Sequence, residues 1–390
     1  MKINQRIKTL VGFSTLAITA RAKELSSQGK DVVNFGAGEP DFDTPEFIKK
    51  AALKAIEGGF TKYTPSIGTP QLRDAIAQKF QKDNHLSYKP AQIAVSCGAK
   101  HSLYNIIQVL SDVGDEVIIP APYWVSYPEM VKMSGASSKI LETTSAAKFK
   151  ITAQQLARNI SQQTRILILN SPANPTGVLY SKKELQEIAE VCVQNKIYVI
   201  SDEIYEKLIY DTDEYVSIAA LGKDIYDLTV TVNGVSKAYS MTGWRIGYCG
   251  ASEEIIGYVN KFQDHSTSNP ASISQAAAES ALQASDETIK AMRDEFKKRR
   301  DFMMTCLDGI PEITYVPPEG AFYIFCNISQ LGDGNTIAKR ILDEVNVAVI
   351  PGDGFGAPEY IRLSFATSLE RIEAGIKRIG EWIREYYNGS

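Results

Sequence analysis

Short runs of β-branched and other apolar residues alternate with amphipathic segments through most of the chain. The runs that predict strands cover residues 93–95, 116–119, 165–169, 198–200, 228–232 and 246–249. Short apolar strands separated by helical segments are typical of a sheet covered by helices. The pattern therefore predicts an α/β fold.

Turn-forming residues mark where helices begin and end. Thr44 and Pro45 predict a helix with Thr44 at its N-cap, and the glycines at 58 and 59 predict its end. Thr69, which precedes a proline, predicts the start of the next helix in the same way.

After about residue 275 the pattern changes. A helix is predicted over 274–300, then strands over 313–316 and 322–326, and then further helices. We expect a second, smaller α+β unit here, with a ligand cleft where the two units meet.

Composition narrows the function classes. The 390 residues carry a formal net charge of −4, with acids and bases interspersed. Without a basic stripe or a long apolar run, we expect neither nucleic acid nor a membrane as a partner, but a small molecule. Five scattered cysteines without a C-x-x-C pair, and three dispersed histidines, predict neither a disulfide framework nor a metal site.

The N-terminal segment superficially resembles an export signal. Basic residues precede a fairly apolar stretch over 10–20, but Ser14 and Thr15 interrupt it. An amphipathic helix that ends near Gln28 continues through the apparent cleavage point, so we expect a cytoplasmic protein without a cleaved leader.

The segment VNGVSKAYSMTGWRIGY, residues 232–248, carries a lysine just after a predicted strand. The carboxyl ends of strands in an α/β sheet are where ligands bind, so Lys237 is placed to act as a nucleophile. Ser236 and Arg245 are placed to bind a phosphate. Taken alone, this position favours a plain solvent-exposed lysine.

Two further segments follow predicted strands. In SDEIYEKLIY, from residue 201, Asp202 is a carboxylate that needs a cationic partner if it is buried, and a protonated pyridine nitrogen is one such partner. Tyr205 can donate a hydrogen bond to a phenolic oxygen of the same ring. In NSPANPTG, residues 170–177, Pro175 predicts a cis bond that orients Asn174, although a plain strand-to-helix turn explains this motif equally well.

The segment SCGAKHSLYN, residues 96–105, predicts a helix that begins beside Gly98. The backbone amides of Gly98, Ala99 and Lys100 are therefore candidates for binding a phosphate. Tyr123 and Trp124, after the next strand, offer flat faces for a cofactor ring, although aromatic residues in such positions are more often packed in the core.

In RLSFATS, residues 362–368, Arg362 is predicted to open a strand of the smaller unit. A planar guanidinium at this place can bind a carboxylate through two hydrogen bonds.

These segments, in this order, resemble the class I aminotransferase family of pyridoxal phosphate enzymes of fold type I. The resemblance runs from about Phe13 to the C-terminus, and its most specific parts are NSPANPTG, SDEIYE and SKAYSMTGWRIGY. It implies a large domain with a mostly parallel seven-stranded sheet and a smaller α+β domain. We expect the large domain at 46–285 and the small one at 1–45 with 286–390.

The resemblance also implies roles for these residues. Lys237 is the catalytic residue that holds pyridoxal phosphate as an imine, and a homodimer with shared sites follows. The other implied cofactor ligands are Asp202, Tyr205, Asn174, Arg245, Ser236, Gly98, Ala99, Lys100, Tyr123 and, from the neighbouring subunit, Tyr63. The implied substrate ligands are Arg362, Gly38, Asn174, Trp124 and Lys100.

Within the family the chain most resembles bacterial aspartate aminotransferases, partly through PYWVSYPEMV at 122–131. That resemblance implies that Lys100 binds the distal carboxylate of aspartate or glutamate, with 2-oxoglutarate as acceptor and ping-pong kinetics. Relatives that accept prephenate tend to carry a lysine where this chain has Val11, which counts against prephenate.

Other outcomes of the same fold remain open at this stage. They are a carbon–sulfur lyase, or an aminotransferase for aromatic amino acids, alanine, prephenate or diaminopimelate. A regulatory protein of this fold is disfavoured, because the lysine is present and no DNA-binding segment is appended.

Overall fold

The computed structural model describes residues 5–12, 14–212 and 214–388. Within them the strands are β1 Val33–Asn34, β2 Ile93–Ser96, β3 Glu116–Pro120, β4 Ser137–Leu141, β5 Thr164–Asn170, β6 Tyr198–Asp202, β7 Thr229–Gly234, β8 Gly247–Gly250, β9 Thr314–Tyr315, β10 Tyr323–Asn327, β11 Val347–Ala348, β12 Ile350–Pro351 and β13 Tyr360–Ser364. The helices are α1 Gln5–Lys8, α2 Ser14–Ser27, α3 Glu46–Glu57, α4 Pro70–Asn84, α5 Ala99–Leu110, α6 Ser126–Ser134, α7 Ala153–Asn159, α8 Lys182–Asn195, α9 Lys223–Leu228, α10 Glu253–Asp264, α11 Ser272–Leu282, α12 Glu287–Leu307, α13 Gly334–Val345 and α14 Leu369–Asn388.

A seven-stranded sheet forms the centre of the larger unit. Its strand order is β2-β8-β7-β6-β5-β3-β4, and only β8 runs antiparallel to its neighbours. The predicted α/β fold with a mostly parallel sheet is confirmed. Asn170 pairs with Asp202, and Asp202 with Val232, so the carboxyl ends of β5, β6 and β7 lie side by side.

All six predicted strands belong to this sheet, but strand β4 was not predicted. It lies at the edge of the sheet, and its first four residues are exposed or only half-buried. An edge strand does not need the continuous apolar run that marks a buried strand.

Two smaller sheets belong to the second unit. Strands β12, β13, β10 and β9 form an antiparallel sheet, whereas β1 near the N-terminus pairs in parallel with β11 near the C-terminus. The smaller unit therefore combines chain from both ends. The predicted boundaries, 46–285 against 1–45 with 286–390, stay a prediction.

The single helix predicted over 274–300 is wrong. Two helices, α11 and α12, occupy this region and are separated at residues 283–286. Helix α11 packs against α3 and α4 of the larger unit, while α12 packs against α14 of the smaller one. The chain must change direction between these two packing partners.

The predicted N-cap at Thr44 is also wrong by one residue. Helix α3 is capped by Pro45 without a side-chain hydrogen bond. The Thr44 hydroxyl instead donates to the Ser240 carbonyl (2.7 Å) and accepts from Trp244 Nε1 (2.9 Å). At the next helix the prediction is confirmed, because the Thr69 hydroxyl caps the Leu72 amide.

The predicted absence of disulfides agrees with the structure, in which all five cysteines carry free thiols. Among the described residues, none of the helices combines the length and the apolar composition needed to cross a bilayer.

Candidate active site

A cavity of about 460 Å³ lies where the carboxyl ends of the central strands face the smaller unit. Its wall contains most of the predicted site residues, which come from distant parts of the chain. They are Gly38, Ala99, Lys100, Trp124, Asn174, Asp202, Tyr205, Ser236, Lys237, Arg245 and Arg362. The predicted cleft between the two units is therefore present and holds these side chains together.

The amine of Lys237 lies inside this cavity. Lys237 follows strand β7, and its Nζ donates a hydrogen bond to the carbonyl oxygen of Gly38 (2.5 Å). The rings of Tyr205 and Phe322 lie 5.8 and 5.7 Å from the amine. Burial, reinforced by the positive charge of Arg362, lowers the pKa of Lys237 to about 8. A much larger fraction of this amine than of an ordinary lysine is therefore neutral and nucleophilic near physiological pH.

Asp202 ends strand β6 with its carboxylate almost completely buried. Its Oδ2 accepts a hydrogen bond from the hydroxyl of Tyr127 (2.6 Å), and its Oδ1 accepts from the amide of Ile204 (3.3 Å). Burial raises the pKa of Asp202 to about 6, although the Tyr127 bond acts in the opposite direction. The ionised carboxylate is therefore held in a place that favours a cationic partner.

The hydroxyl groups of Tyr205 and Tyr323 form a hydrogen bond 2.9 Å long. Both rings are buried. The face of the Tyr323 ring lies 4.2 Å from the guanidinium carbon of Arg362. This contact links the tyrosine pair to the nearest buried cation.

Arg362 is buried and lies in the middle of strand β13, not at its start as predicted, because pairing with β10 begins earlier, at Tyr360. Its Nη1 donates to Asn174 Oδ1 (2.9 Å) and its Nη2 to the Gly36 carbonyl (3.2 Å). Among the described residues no protein atom accepts from its Nε and no carboxylate forms an ion pair with it. A buried guanidinium in this state is suited to an anionic ligand.

Asn174 is fixed by its surroundings. The bond between Asn174 and Pro175 is cis, as predicted, and so is the bond between Ser171 and Pro172. The Asn174 amide nitrogen of the backbone donates to Asn170 Oδ1 (2.8 Å). Because the Asn174 side-chain oxygen accepts from Arg362, its side-chain NH₂ group is available as a donor.

The start of helix α5 lies against Arg245. Gly98 is its N-cap with a positive φ of 91°. A side chain on Gly98 would place its Cβ 2.3 Å from Arg245 Nη2, so only glycine permits this approach. The guanidinium is held by the carbonyls of Thr242 (2.9 Å) and Cys97 (3.4 Å). A helix N-terminus and a guanidinium thus face the same space, with Ser236 in the wall beside them.

Lys100 and Trp124 form a neighbouring part of the wall. The Lys100 amine lies 4.9 Å from the centre of the Trp124 ring. Burial, followed by the charge of Arg245, lowers the pKa of Lys100. The two residues combine an aromatic face with a cation.

Three predicted site residues are not part of the wall: Tyr123, Tyr63 and Gly98, which lies behind Arg245. Tyr123 follows the same strand as Trp124 but packs against Gly356, where a Cβ would lie 2.9 Å from its ring. Tyr63 projects from the loop after α3 and is 92% exposed. Neither tyrosine reaches the cavity of its own chain.

Comparison with known proteins establishes the family. The family model described as aminotransferase class I and II matches residues 30–379. The chain belongs to this family. The predicted membership is therefore confirmed, and amino acids and 2-oxo acids are the substrates of such enzymes. Class I aminotransferases use pyridoxal phosphate.

Individual relatives agree with this assignment. An aspartate aminotransferase of Bacillus sp. strain YM-2 is 48% identical over 97% of this aminotransferase and 98% of the relative. A probable aspartate/prephenate aminotransferase of Aquifex aeolicus is 44% identical, covering 97% and 98%. The solved aspartate aminotransferase of Thermus thermophilus with maleate has a TM-score of 0.94 at 40% identity, covering 98% and 99%.

Sequence reasoning missed several residues that the aminotransferase places in the wall. They include Glu39, Tyr127, Thr242, Tyr323 and Phe355. Tyr127 and Thr242 lie inside segments already singled out, so proximity along the chain to Trp124 and Arg245 was an available signal. Tyr323 and Phe355 come from the smaller unit, and no local motif predicts that they lie in the cavity wall.

Proposed function

We propose that this aminotransferase transfers the amino group of L-aspartate to 2-oxoglutarate, giving oxaloacetate and L-glutamate, with pyridoxal phosphate held by Lys237. The observation that carries the proposal is one cavity that combines a lysine amine of lowered pKa, a buried carboxylate and a buried guanidinium that has no acidic partner within the described part of the chain. The names of the relatives that are 48% identical support the choice of aspartate.

The residues fit this cofactor at both ends. At one end, the buried Asp202 carboxylate is suited to a protonated ring nitrogen, which would lower its raised pKa. At the other end, Gly98 lets the start of α5 approach Arg245, and together with Ser236 these groups suit a phosphate. Tyr205 and the NH₂ group of Asn174 are assigned to the phenolic oxygen of the ring.

Lys237 performs the proton transfer in this proposal. Bound pyridoxal phosphate supplies an electron sink for the electron pair that remains when a substrate loses its Cα proton. Once the amino group of the substrate has displaced it from the cofactor, the freed Lys237 amine would remove the Cα proton and return it to the C4′ carbon, because its lowered pKa leaves it neutral more often than an ordinary lysine near neutral pH. Asp202 keeps the ring nitrogen protonated throughout. Two successive half-reactions with different substrates make the kinetics ping-pong.

Substrate binding is assigned to the two cations that flank the amine. Arg362 binds the α-carboxylate through its fork of donors, with the backbone of Gly38 beside it. Lys100 binds the distal carboxylate of a dicarboxylic substrate. The aspartate aminotransferase of Thermus thermophilus was solved with maleate, which is itself a dicarboxylate, and this supports the assignment. We assign ring stacking to Trp124 and not to Tyr123, since only Trp124 lines the cavity.

Prephenate is the second candidate substrate. The Aquifex aeolicus relative, 44% identical, carries aspartate/prephenate in its name. Val11 counts against prephenate, because its apolar side chain offers no cation to a second carboxylate. This side chain is 72% exposed, and the Val11 amide donates to Glu129 (3.1 Å).

A homodimer with shared sites completes the proposal. An exposed apolar face runs along α3 and just beyond its end. It is formed at helical spacing by Leu53, Ile56 and Phe60. Tyr63 projects beside them. An apolar face of this kind is suited to a second copy of the chain, and Tyr63 would then reach the partner's phosphate. The free thiols agree with a reducing compartment, and we propose the cytoplasm.

Absorbance of the purified protein tests this proposal. Addition of L-aspartate should abolish the visible band of the bound cofactor, and 2-oxoglutarate should restore it, with release of oxaloacetate and glutamate. Lys237→Ala should lack the band, whereas Lys261→Ala, on the outer helix α10, should keep it. If aspartate leaves the band unchanged and the protein instead transfers the amino group of glutamate to prephenate, the substrate assignment changes to prephenate. The absence of any band would refute the cofactor assignment.

A further inference from the structure

A set of buried charged side chains lies beside the segment that carries Asp202 and Tyr205. Residues 202–206 read DEIYE, and Asp202 and Tyr205 line the active-site cavity while Glu203 and Glu206 do not. Both glutamates are nevertheless at most 5% exposed. Two side chains of helix α4 meet them. We call Lys79, Asn84, Glu203 and Glu206 the Glu203 cluster.

Asn84 joins the two carboxylates. Its Nδ2 donates to Glu203 Oε2 (2.9 Å) and also to Glu206 Oε2, while its Oδ1 accepts from Lys79 Nζ (2.6 Å). The Lys79 amine also pairs with Glu206. Both protons and the oxygen of the Asn84 amide are therefore used within the cluster.

The second oxygen of Glu203 is satisfied as well. Its Oε1 accepts from the hydroxyls of Ser201 (2.8 Å) and Ser217 (2.6 Å). Burial, followed by the charge of Glu206, raises the pKa of Glu203 to about 7.

Lys79 also lies 3.6 Å from a carboxylate oxygen of Asp83. Removal of Lys79 would leave Glu206 without its closest cation, and removal of Asn84 would take a donor from both carboxylates, which is costly in a dry environment.

The backbone transmits this constraint to the active site. The Glu203 amide donates to the Val232 carbonyl (2.9 Å), and the Glu206 amide donates to the Glu203 carbonyl (3.0 Å). Each glutamate is the immediate neighbour of one site residue, because Glu203 follows Asp202 and Glu206 follows Tyr205. A shift of either glutamate therefore moves a cofactor-facing side chain.

We infer that the Glu203 cluster positions the Asp202 carboxylate and the Tyr205 hydroxyl for the cofactor. Its members touch neither substrate nor cofactor and act through the short turn between strand β6 and residue 207. This inference rests on the proposed function, since it assumes that Asp202 and Tyr205 hold pyridoxal phosphate.

Lys79→Met tests the inference, with Lys150→Met as its matched control. Both lysines are buried, both pair with a glutamate, and both lie near an aromatic ring, at 5.3 Å from Phe80 and 5.7 Å from Tyr180. Each variant should lose stability. Only Lys79→Met should bind pyridoxal phosphate about tenfold more weakly, measured by fluorescence quenching of the cofactor-free protein, and lose about tenfold in kcat with KM for aspartate nearly unchanged.

Charge balance provides a rescue. The double variant Lys79→Met with Glu206→Gln removes Lys79 together with the carboxylate that it contacts most closely. It should recover much of the lost affinity, because Glu206 is no longer left as a buried charge without its cation, while Asp83 keeps Lys207 as a partner.

Glu203→Gln is a second single variant, which keeps the shape but leaves one acceptor oxygen for the three donors Asn84, Ser201 and Ser217. It should weaken cofactor binding in the same direction.

The outcomes separate this inference from the proposed function. The inference would be overturned, and the proposed function left intact, if Lys79→Met and Glu203→Gln both matched Lys150→Met within twofold in their affinity for pyridoxal phosphate and in kcat. An unmodified protein that neither binds pyridoxal phosphate nor transaminates would overturn both. If Lys79→Met does not fold, Glu203→Gln alone decides.

Discussion

The hydroxyl of Tyr127 donates a 2.6 Å hydrogen bond to Oδ2 of Asp202, and both groups are buried. Tyr127 lies in the first turn of helix α6, three residues after Trp124, whose ring it meets edge-on at 5.4 Å. One helix start therefore supplies an aromatic wall of the cavity and the donor that holds its central carboxylate.

Tyr127→Phe removes this donor without changing the shape of the ring. The pKa of Asp202 should rise further, because the Tyr127 bond is the largest influence that lowers it. We expect cofactor affinity and kcat to fall by about tenfold, the effect of one charge-assisted hydrogen bond. Tyr88→Phe, which removes a buried hydrogen bond to Thr231, is the control and should leave both unchanged. Equal losses in the two variants would contradict a specific role.

Asp202→Asn should stabilise the cofactor-free protein while it abolishes activity. The folded pKa of Asp202 is raised from 3.8 to about 6, so ionisation of this carboxyl disfavours the folded state as pH rises from about 4 to 6. Above pH 6 the full cost, roughly 3 kcal/mol, is present, and the asparagine avoids it.

Urea unfolding of the two cofactor-free proteins measures this difference. The stability advantage of Asp202→Asn should be largest at pH 8, smaller at pH 5 and nearly absent at pH 4. An advantage that does not change with pH would show that ionisation of Asp202 is not its cause.

The sequence predicted the central sheet and most of the cavity wall for a physical reason. Buried parallel strands need continuous apolar runs, and their carboxyl ends lie at one edge, so residues such as Asp202 and Lys237 are brought together by topology alone. Strand β4 was not predicted, because an edge strand is half-exposed and lacks a continuous apolar run.

Contacts between segments that are distant along the chain could not be predicted from local sequence patterns. Thr44 is a residue type that often caps helices and it precedes a proline, yet its hydroxyl forms hydrogen bonds with Ser240 and Trp244, which are about 200 residues away along the chain. In the same way, Tyr323 reaches the cavity only because β10 pairs with β13, which carries Arg362. These positions follow from tertiary packing and have no short motif.

Reconstitution of the cofactor-free protein should depend on the protonation of Lys237. The neutral amine is the nucleophile, and the pKa of about 8 predicts that the rate of cofactor attachment rises with pH to a plateau near pH 9. Stopped-flow absorbance between pH 7 and 10 measures this rate. A midpoint near 10.5, the ordinary value for lysine, would show that burial and Arg362 do not act on this amine.

Arg362→Lys keeps the positive charge but loses the fork of donors that reaches Asn174 and Gly36. We expect KM for aspartate to rise by about 100-fold, because two hydrogen bonds to a carboxylate are replaced by one point charge. Cofactor affinity should change by less than about threefold. Arg300→Lys, another buried arginine over a tyrosine ring, is the control for lost packing. A rise in KM shared by both variants would remove Arg362 from the substrate site.

The exposed face of α3 provides the last prediction. Leu53→Glu places a charge at the beginning of the apolar face that continues through Ile56 and Phe60, so a dimer that buries this face should dissociate at micromolar concentration. Val113→Glu, on another exposed apolar position, should remain dimeric. Sedimentation measures the mass. If Tyr63 completes the partner's phosphate site, the dissociated variant should also bind pyridoxal phosphate more weakly, and its affinity should recover at high protein concentration. A Leu53→Glu protein with the same mass and affinity as Val113→Glu would exclude this face from the interface.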